Sequence, residues 1–287
     1  MLWDTLPVLE AGRLNVRYDF DGRVVLITGA ARGVGRAMVG DFLDAGAKVV
    51  AADRDADGLD ETCVGHGRSA TAVVGDISDP ADAAMIVKRA TEVYGRLDVC
   101  VNNAAVAPHA ALLDERVEVW DTVYRVNCRG TFLMTQAAAR LMIEQGRGGR
   151  IINFSSGVSS RGSAGAAAYA SSRAATESFT RVAAIELAPY DILVNCVSPG
   201  LIDTQPKPLP PAMAESLARR IPGLPLARPG RPDEVSSLVL WLSSDAASYV
   251  SGALYCVDGA SGVGGRPSGP IIDDDVRYDW VTGRSRG

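Results

Sequence analysis

Lysine is almost missing from this 287-residue chain: it occurs only at positions 48, 88 and 207, so 26 of the 29 basic residues are arginine. Any single arginine must therefore be weighed against that background before it is given a role. Histidine is scarcer still. His66 and His109 stand apart, and the five cysteines at 63, 100, 128, 196 and 256 form no paired ligand spacing. A metal site needs more ligands at closer spacing, so none is expected. The scattered cysteines read as small hydrophobes in a reducing compartment, not as a disulfide framework. Positive charge is not in excess either. The formal charge of −5 provides no broad attractive field for a phosphate backbone, which excludes nucleic acid as the expected partner. No apolar run reaches the roughly 18 to 20 residues a membrane-crossing helix requires. The opening "MLWDTLPVLEAGRLNV" has no basic region followed by an apolar run, so it is not read as an export signal, and the cytoplasm is the expected location.

What is present is ordinary globular composition, 47% hydrophobic and 22% charged, in a length suited to one large domain. "RVVLITGA" at 23–30 is a β-branched apolar run ending in glycine, and "RGVGRAMVGDFLDAGA" then switches to helical period. "KVVAADR", "SATAVVGDIS", "LDVCVNNAA", "GRIINFSS", "ILVNCVSPG" and "ALYCV" read as further strands. Between them the spacing predicts helices from Asp79 and Pro80 to Gly95, over 114–127, over 131–145, from near Tyr169, and over 232–244. This alternation predicts a single α/β, Rossmann-like, doubly wound domain with a mostly parallel, seven-stranded sheet over residues 21–260. Residues 1–20 form an N-terminal extension and 261–287 a C-terminal one, expected to be loosely ordered or docked on a neighbouring subunit. The segment 201–230 carries seven prolines around a short helical piece, and its position after a strand's carboxyl end suits a substrate lid or a Pro-rich surface loop.

Thr28-Gly29-Ala30-Ala31-Arg32-Gly33-Val34-Gly35 lies between the first strand and helix. Gly29 permits a tight turn, Gly33 close backbone approach, and Gly35 close helix packing, so N–H groups and a helix dipole can face a diphosphate. Asp53, at the end of the second strand, can accept both adenosine ribose hydroxyls and repel a 2′-phosphate, which argues for NAD. Arg32 and Arg54 argue the other way, for NADP as the second choice. Asp76, followed by Ile77, can reach an adenine amino group or cap the next helix. Asn102, Asn103 and Ala104 follow the fourth strand, where side-chain amides brace the turn and line the crevice.

These motifs, in this order across residues 22–260, resemble the short-chain dehydrogenase/reductase family. "TGAARGVG" is similar to its cofactor loop, and "NNAA" to its Asn-Asn-Ala-Gly element with Ala105 in the last place. "SPGLIDT" is similar to the segment in which Pro199, Gly200, Ile202 and Thr204 would meet the cofactor. "YVSGALYCVDGA" resembles the terminal strand, with Ala260 where a second glycine is usual. The resemblance implies hydride transfer between a nicotinamide cofactor and a secondary alcohol or ketone. It makes Asn127 the catalytic asparagine, Ser156 the catalytic serine thirteen residues before the tyrosine, and Tyr169 the acid/base. A carbonyl gaining hydride develops negative oxygen, so a Ser156 donor and a Tyr169 proton source suit that chemistry. Free tyrosine, with pKa about 10, needs a nearby cation to act near neutrality. The family places a lysine four residues after the tyrosine, holding the nicotinamide ribose and joining a water relay at the asparagine. Here that position is Arg173. Its charge can favour phenolate and bind the ribose diol, but its larger planar fork is not a conservative exchange.

The substrate pocket is expected between Ser156 and Gly165, Val106 and His109, and Leu201 onward, with Arg161 either solvent-facing or a cation for an acidic substrate. The helices 114–127, 131–145 and 169–188 resemble the family's surfaces for dimers and tetramers, with a homotetramer preferred over a homodimer. A catalytically inactive NAD-binding regulatory or scaffolding protein, and an NADP-dependent carbonyl reductase, are the alternatives.

Overall fold

Seven short apolar runs pair into one parallel sheet in the computed structural model, which describes residues 17–204, 208–209, 211–266, 277–279 and 284–286. The strands are β1 (Val24–Thr28), β2 (Lys48–Asp53), β3 (Ala70–Val74), β4 (Val99–Asn102), β5 (Gly149–Phe154), β6 (Ile192–Pro199) and β7 (Leu254–Val257). Their spatial order is β3-β2-β1-β4-β5-β6-β7. Leu26 pairs in register with Val50 on one side and Cys100 on the other. The direction of winding reverses between β1 and β4, and in such sheets a crevice opens at the carboxyl ends of those strands. The expected single seven-stranded α/β domain is therefore the observed one.

Strand period two explains the two cores. In β1, Val24 and Leu26 face one layer, with Ile86, Met134, Met142 and Val194. Val25 and Ile27 face the other, with Met38, Phe42, Val235 and Val239. Helices α3 (Pro80–Tyr94), α5 (Thr131–Gln145) and α7 (Ala167–Leu187) cover the first face. Helices α1 (Gly33–Asp44) and α9 (Pro232–Ser243) cover the second, and α2 (Ala56–Cys63) lies beside β2 and β3. The expected helix start at Asp79 is observed: its carboxylate accepts from the N–H groups of Ala81 and Asp82 at 2.8 and 3.1 Å, and Pro80 follows in the first turn. Gly95 closes the helix in the left-handed region at φ +79°. Burial pushes the Cys100 and Cys196 thiols up to about 12, in keeping with packed hydrophobes, whereas Cys256 is exposed.

Two helical expectations are corrected. The helix expected over 114–127 begins only at Val117, as α4 (Val117–Tyr124), because residues 111–114 close a turn in which Asp114 N–H bonds the Ala111 carbonyl. It is also not separated from α5. A π-helical turn, Arg125–Gly130, joins them. Gly130 reads in sequence as a break, yet it is helical at φ −60°, and a Cβ there would stand 2.7 Å from Ile77 Cδ1. Glycine there lets Ile77 pack close and does not reverse the chain.

Phe20 is buried and meets Phe42 edge-on at 5.0 Å, so the packed structure begins at or before it. Residues 1–16 of the N-terminal extension lie outside the described residues. The 201–230 segment leaves β6 and returns to the same place: Asp203 N–H bonds the Gly230 carbonyl and Gly230 N–H the Leu201 carbonyl, each at 2.8 Å. Between them lies α8 (Pro211–Arg220). In the C-terminal extension Ser261 is buried, and two three-residue strands, β8 (Arg277–Asp279) and β9 (Arg284–Arg286), pair antiparallel.

A buried polar chain ties the sheet to α7. Asn102 Nδ2 donates to Thr135 Oγ1 and Asn153 Oδ1, both at 2.9 Å, and Asn153 Nδ2 donates to Thr180 Oγ1 at 3.0 Å. Asn153→Leu would leave the Asn102 amide and the Thr180 hydroxyl short of partners. It should cost about 2–4 kcal/mol of unfolding free energy in a urea titration.

Candidate active site

The first turn of the crevice is built on steric exclusion. Gly29 has φ +68°, and a Cβ on it would lie 2.8 Å from both Ala104 Cα and Asn103 Nδ2. A Cβ at Gly35 would come within 1.9 Å of the Gly29 carbonyl oxygen. These two glycines let β1, α1 and the end of β4 touch. Asn103 Nδ2 donates to the carbonyls of Thr28 and Gly29 at 2.9 and 3.1 Å, and Ala104 N–H donates to Thr28 Oγ1 at 3.1 Å. The expected bracing is thus performed by Asn103. Asn102 corrects the pairing made from sequence: it is turned into the core, away from the crevice.

Gly33, at φ +58°, faces Thr204 across the opening; its missing Cβ would lie 3.3 Å from Thr204 Cβ. Val34 behind it is half-buried. The loop after β6 closes the far wall. Gly200 N–H bonds the Val257 carbonyl at 2.9 Å, Pro199 accepts from Gly157 N–H at 3.1 Å, and a Cβ at Gly200 would strike Asp258. Ile202 pairs with Gly230 at the base of the 201–230 segment. The glycine turn and the Thr204 loop thus meet at the carboxyl end of the sheet.

Asp53 ends β2 beside that turn. Its Oδ2 accepts from Ala31 N–H at 3.1 Å, and its Oδ1 from the N–H groups of Arg54 and Asp55 at 2.7 and 3.2 Å. Arg32 and Arg54 are both exposed. Asp76 accepts from the N–H and hydroxyl of Ser78 at 2.9 and 2.7 Å. Burial would raise its pKa, but these bonds, with the Arg54 and Arg125 charges, outweigh it and hold the carboxyl low. Asp76 therefore shapes the turn before α3, and Ile77 is buried under Gly130. Sequence reasoning missed Arg36, whose guanidinium ties the Ala31 carbonyl to Thr62 Oγ1 at 3.0 Å and to Glu61 at 3.0 Å. Its place in the first turn of α1, directly after Gly35, was the available signal.

At the other end of the crevice, Ser156 lies just past β5, Tyr169 and Arg173 lie one turn apart on α7, and Asn127 lies in the π-turn. Burial alone would raise the Tyr169 phenol. The Arg173 charge opposes it, with hydrogen-bonding contributions from Arg173 and Ser156, and the balance holds the phenol below its ordinary value. The Arg173 guanidinium carbon lies 5.1 Å from the centre of the Tyr169 ring. One of its terminal nitrogens donates to the Phe154 carbonyl at 2.8 Å, while its Nε is buried without a partner. Arg173 itself is only 3% exposed. Its Nε is enclosed by protein, so what the guanidinium supplies in this arrangement is positive charge beside the Tyr169 ring.

The Asn127 amide is fully engaged. Oδ1 accepts from Val106 N–H at 2.9 Å, and Nδ2 donates to the Val106 carbonyl and Ser172 Oγ at 3.0 and 3.1 Å. It joins the β4 exit loop to α7. Sequence reasoning also missed Glu177, whose Oε1 lies 2.5 Å from the hydroxyls of both Ser155 and Ser159. Arg161 is exposed, in keeping with the solvent-facing expectation, and donates to the Ser261 carbonyl at 2.7 Å. His109 is exposed, with Nδ1 at 3.1 Å from the Ala107 carbonyl.

A doubly wound sheet with this glycine turn and a Ser-Tyr-Arg cluster facing it defines a nucleotide-linked oxidoreductase. The family model described as Enoyl-(Acyl carrier protein) reductase matches residues 29–261. The 3-oxoacyl-[acyl-carrier-protein] reductase FabG of Thermotoga maritima is 39% identical over 243 residues, 83% of this chain and 97% of that protein. The L-rhamnose 1-dehydrogenase (NAD(P)(+)) of a Sphingomonas species is 37% identical over 243 residues, 83% and 96% of the two chains. The crystal structure of a short-chain type dehydrogenase/reductase from Mycobacterium marinum superposes with a TM-score of 0.79 at 36% identity, covering 85% of this chain and 97% of that one. The chain belongs to the short-chain dehydrogenase/reductase family, whose members use NAD(P) cofactors.

Gly35→Ala should cost about 3 kcal/mol in stability and weaken dinucleotide binding, because the Gly29 carbonyl cannot move without opening the turn. Gly40→Ala, on the same helix with nothing within 4 Å of the new Cβ, should instead raise stability by up to about 1 kcal/mol. Denaturant titrations of the two variants make the comparison.

Proposed function

We propose that the protein is a cytoplasmic NAD-dependent dehydrogenase of small secondary alcohols, or ketoreductase in the reverse direction. The observation that carries this reading is the half-buried Tyr169 with the Arg173 guanidinium carbon 5.1 Å from its ring centre, an arrangement in which the Arg173 charge and a Ser156 hydrogen bond favour the phenolate. Bound nicotinamide supplies the hydride acceptor or donor. Ser156 Oγ–H hydrogen-bonds the substrate oxygen and stabilises its developing charge. Tyr169 takes the hydroxyl proton as phenolate in oxidation and returns it as phenol in reduction. Arg173 keeps its own proton throughout and acts as a fixed charge. It would also orient the nicotinamide ribose. Asn127, with its amide consumed, contributes to a water relay through its carbonyl, which accepts from Thr131 Oγ1 at 2.8 Å and keeps a second lone pair.

Gly29, Arg32, Gly33, Val34 and Gly35 would line the diphosphate, with Pro199, Gly200, Ile202 and Thr204 opposite. Asp53 would hold the adenosine ribose, Asp76 and Ile77 the adenine side, and Asn103 and Ala104 the floor. The fixed Asp53 carboxylate beside Ala31 supports NAD. NADP is the second reading, favoured by the exposed Arg32 and Arg54 on either side of that carboxylate. The 201–230 segment would cover the substrate. Val117, Phe132, Val182 and Ile185, exposed on α4, α5 and α7, support a homotetramer or homodimer through those helices. A nucleotide-binding scaffold without chemistry is the reading from another class.

Tyr169→Phe should lower turnover of a secondary-alcohol panel by about 10³-fold or more while dinucleotide binding persists; unchanged turnover would remove Tyr169 from the chemistry, and a wild-type protein that binds dinucleotide but turns over no alcohol or ketone would favour the scaffold. In Arg173→Met the phenolate loses its stabilising charge. The pH at which alcohol oxidation switches on should therefore move upward, together with the ultraviolet phenolate titration, whereas Arg173→Lys should restore it. Equilibrium titrations should give tighter binding of NAD than of NADP; the reverse order would sink the Asp53 argument.

A further inference from the structure

Tyr169, Arg173 and Glu177 follow one another at intervals of four along α7, so they share one face that drifts by about 40° per step. Glu177 looks onto the loop between β5 and the short helix α6 (Val158–Arg161). A single carboxylate oxygen, Oε1, lies 2.5 Å from Ser155 Oγ and 2.5 Å from Ser159 Oγ. Those serines stand before and after Ser156. Ser155 Oγ also lies 3.4 Å from both Ser159 Oγ and the Arg173 carbonyl, and Ser159 Oγ 2.8 Å from the Ser156 carbonyl.

Each hydroxyl has one proton to give. The ionised carboxylate is a stronger acceptor than a carbonyl, so it draws both protons. The Ser156 carbonyl is then held by Ser159 N–H alone, at 2.9 Å. We infer that Glu177 is a positioning residue: it clamps the chain on both sides of Ser156 and so sets where the Ser156 hydroxyl stands against Tyr169. This rests on the reading of Ser156 and Tyr169 as the groups that handle the substrate oxygen. The clamp is separate from the anchoring of α7. That anchoring is provided by Ser172 with Asn127, Thr180 with Asn153, and Arg173 with the Phe154 carbonyl.

The test compares Glu177→Leu, which fills the space without an acceptor, Glu177→Gln, which keeps one, and the paired variant Ser155→Ala with Ser159→Ala. Amide exchange across residues 156–162 in the cofactor-free protein is read beside kcat and the KM for NAD. Glu177→Leu should lower kcat by about 10- to 100-fold, the scale of a misplaced reacting group, and leave the KM for NAD within about twofold. Exchange across 156–162 should quicken in Glu177→Leu and stay near wild type in Glu177→Gln, which should also keep most of the kcat. Combining Glu177→Leu with the serine pair should lower kcat no further than either alone. The proposal is overturned by wild-type kcat or wild-type exchange in Glu177→Leu, or by Glu177→Gln failing as badly as Glu177→Leu. If Glu177→Leu does not fold, the serine pair carries the same readouts. Tyr169→Phe separates the two readings. It should abolish turnover without changing loop exchange; if it keeps turnover, the proton-handling reading falls while exchange still decides the clamp.

Discussion

Everything chemical in this protein depends on how helix α7 is seated against the sheet, and that seating is polar as well as apolar. Ser172 meets Asn127, Thr180 meets Asn153, and Arg173 reaches the Phe154 carbonyl. Buried hydrogen bonds of this kind tolerate little sliding, because a shift leaves donors and acceptors unmatched in a medium that cannot resolvate them. A helix packed through alanines alone could move along its axis at smaller cost. Here the hydroxyl stripe at 172, 176 and 180 fixes the rotation and height of the neighbouring stripe at 169, 173 and 177. The first stripe is structural, and the second carries the phenol, the cation and the carboxylate.

The same logic governs the opposite wall. Gly29 and Gly35 remove the atoms that would hold β1, α1 and β4 apart, and Asn103 then locks the turn from below. Only Gly33 faces the open crevice, against Thr204. Three glycines in one motif therefore perform different tasks, two of packing and one of access. The π-turn at Arg125–Gly130 belongs to this framework too. The wider turn sets Asn127 between the β4 exit loop and α7, and Gly130 lets Ile77 press close.

The guanidinium beside Tyr169 combines a fixed positive charge with a planar set of donors. Arg173 spends one nitrogen on the sheet and retains another without a partner. Its planar fork thus reaches the sheet while its charge stays beside the Tyr169 ring. Glu177, one turn on, puts a carboxylate on the same face and ties down the serine loop facing it.

Period-two apolar runs, glycine placement and helix caps were enough to read the strand order class, the Asp79 and Gly95 helix ends, and the Gly29–Gly35 turn, because each is a local property of backbone and sterics. Ser156, Tyr169 and Arg173 could be singled out through the family resemblance, whose motif spacing they match. Their convergence, and the net lowering of the Tyr169 phenol, required the folded chain, because burial and a neighbouring charge pull in opposite directions and only distance decides between them. Asn102 and Asn103 are adjacent in sequence, yet a strand's alternation sends one into the core and leaves the other at the turn. Gly130 reads alike whether it breaks a helix or receives a neighbour, and Glu177 reads as a surface acid until Ser155 and Ser159 are brought to it. The sequence by itself thus determined the sheet, the cofactor turn and the candidate chemistry; tertiary packing alone decided which polar atoms meet, because those contacts join residues up to 45 positions apart in the α7 seating.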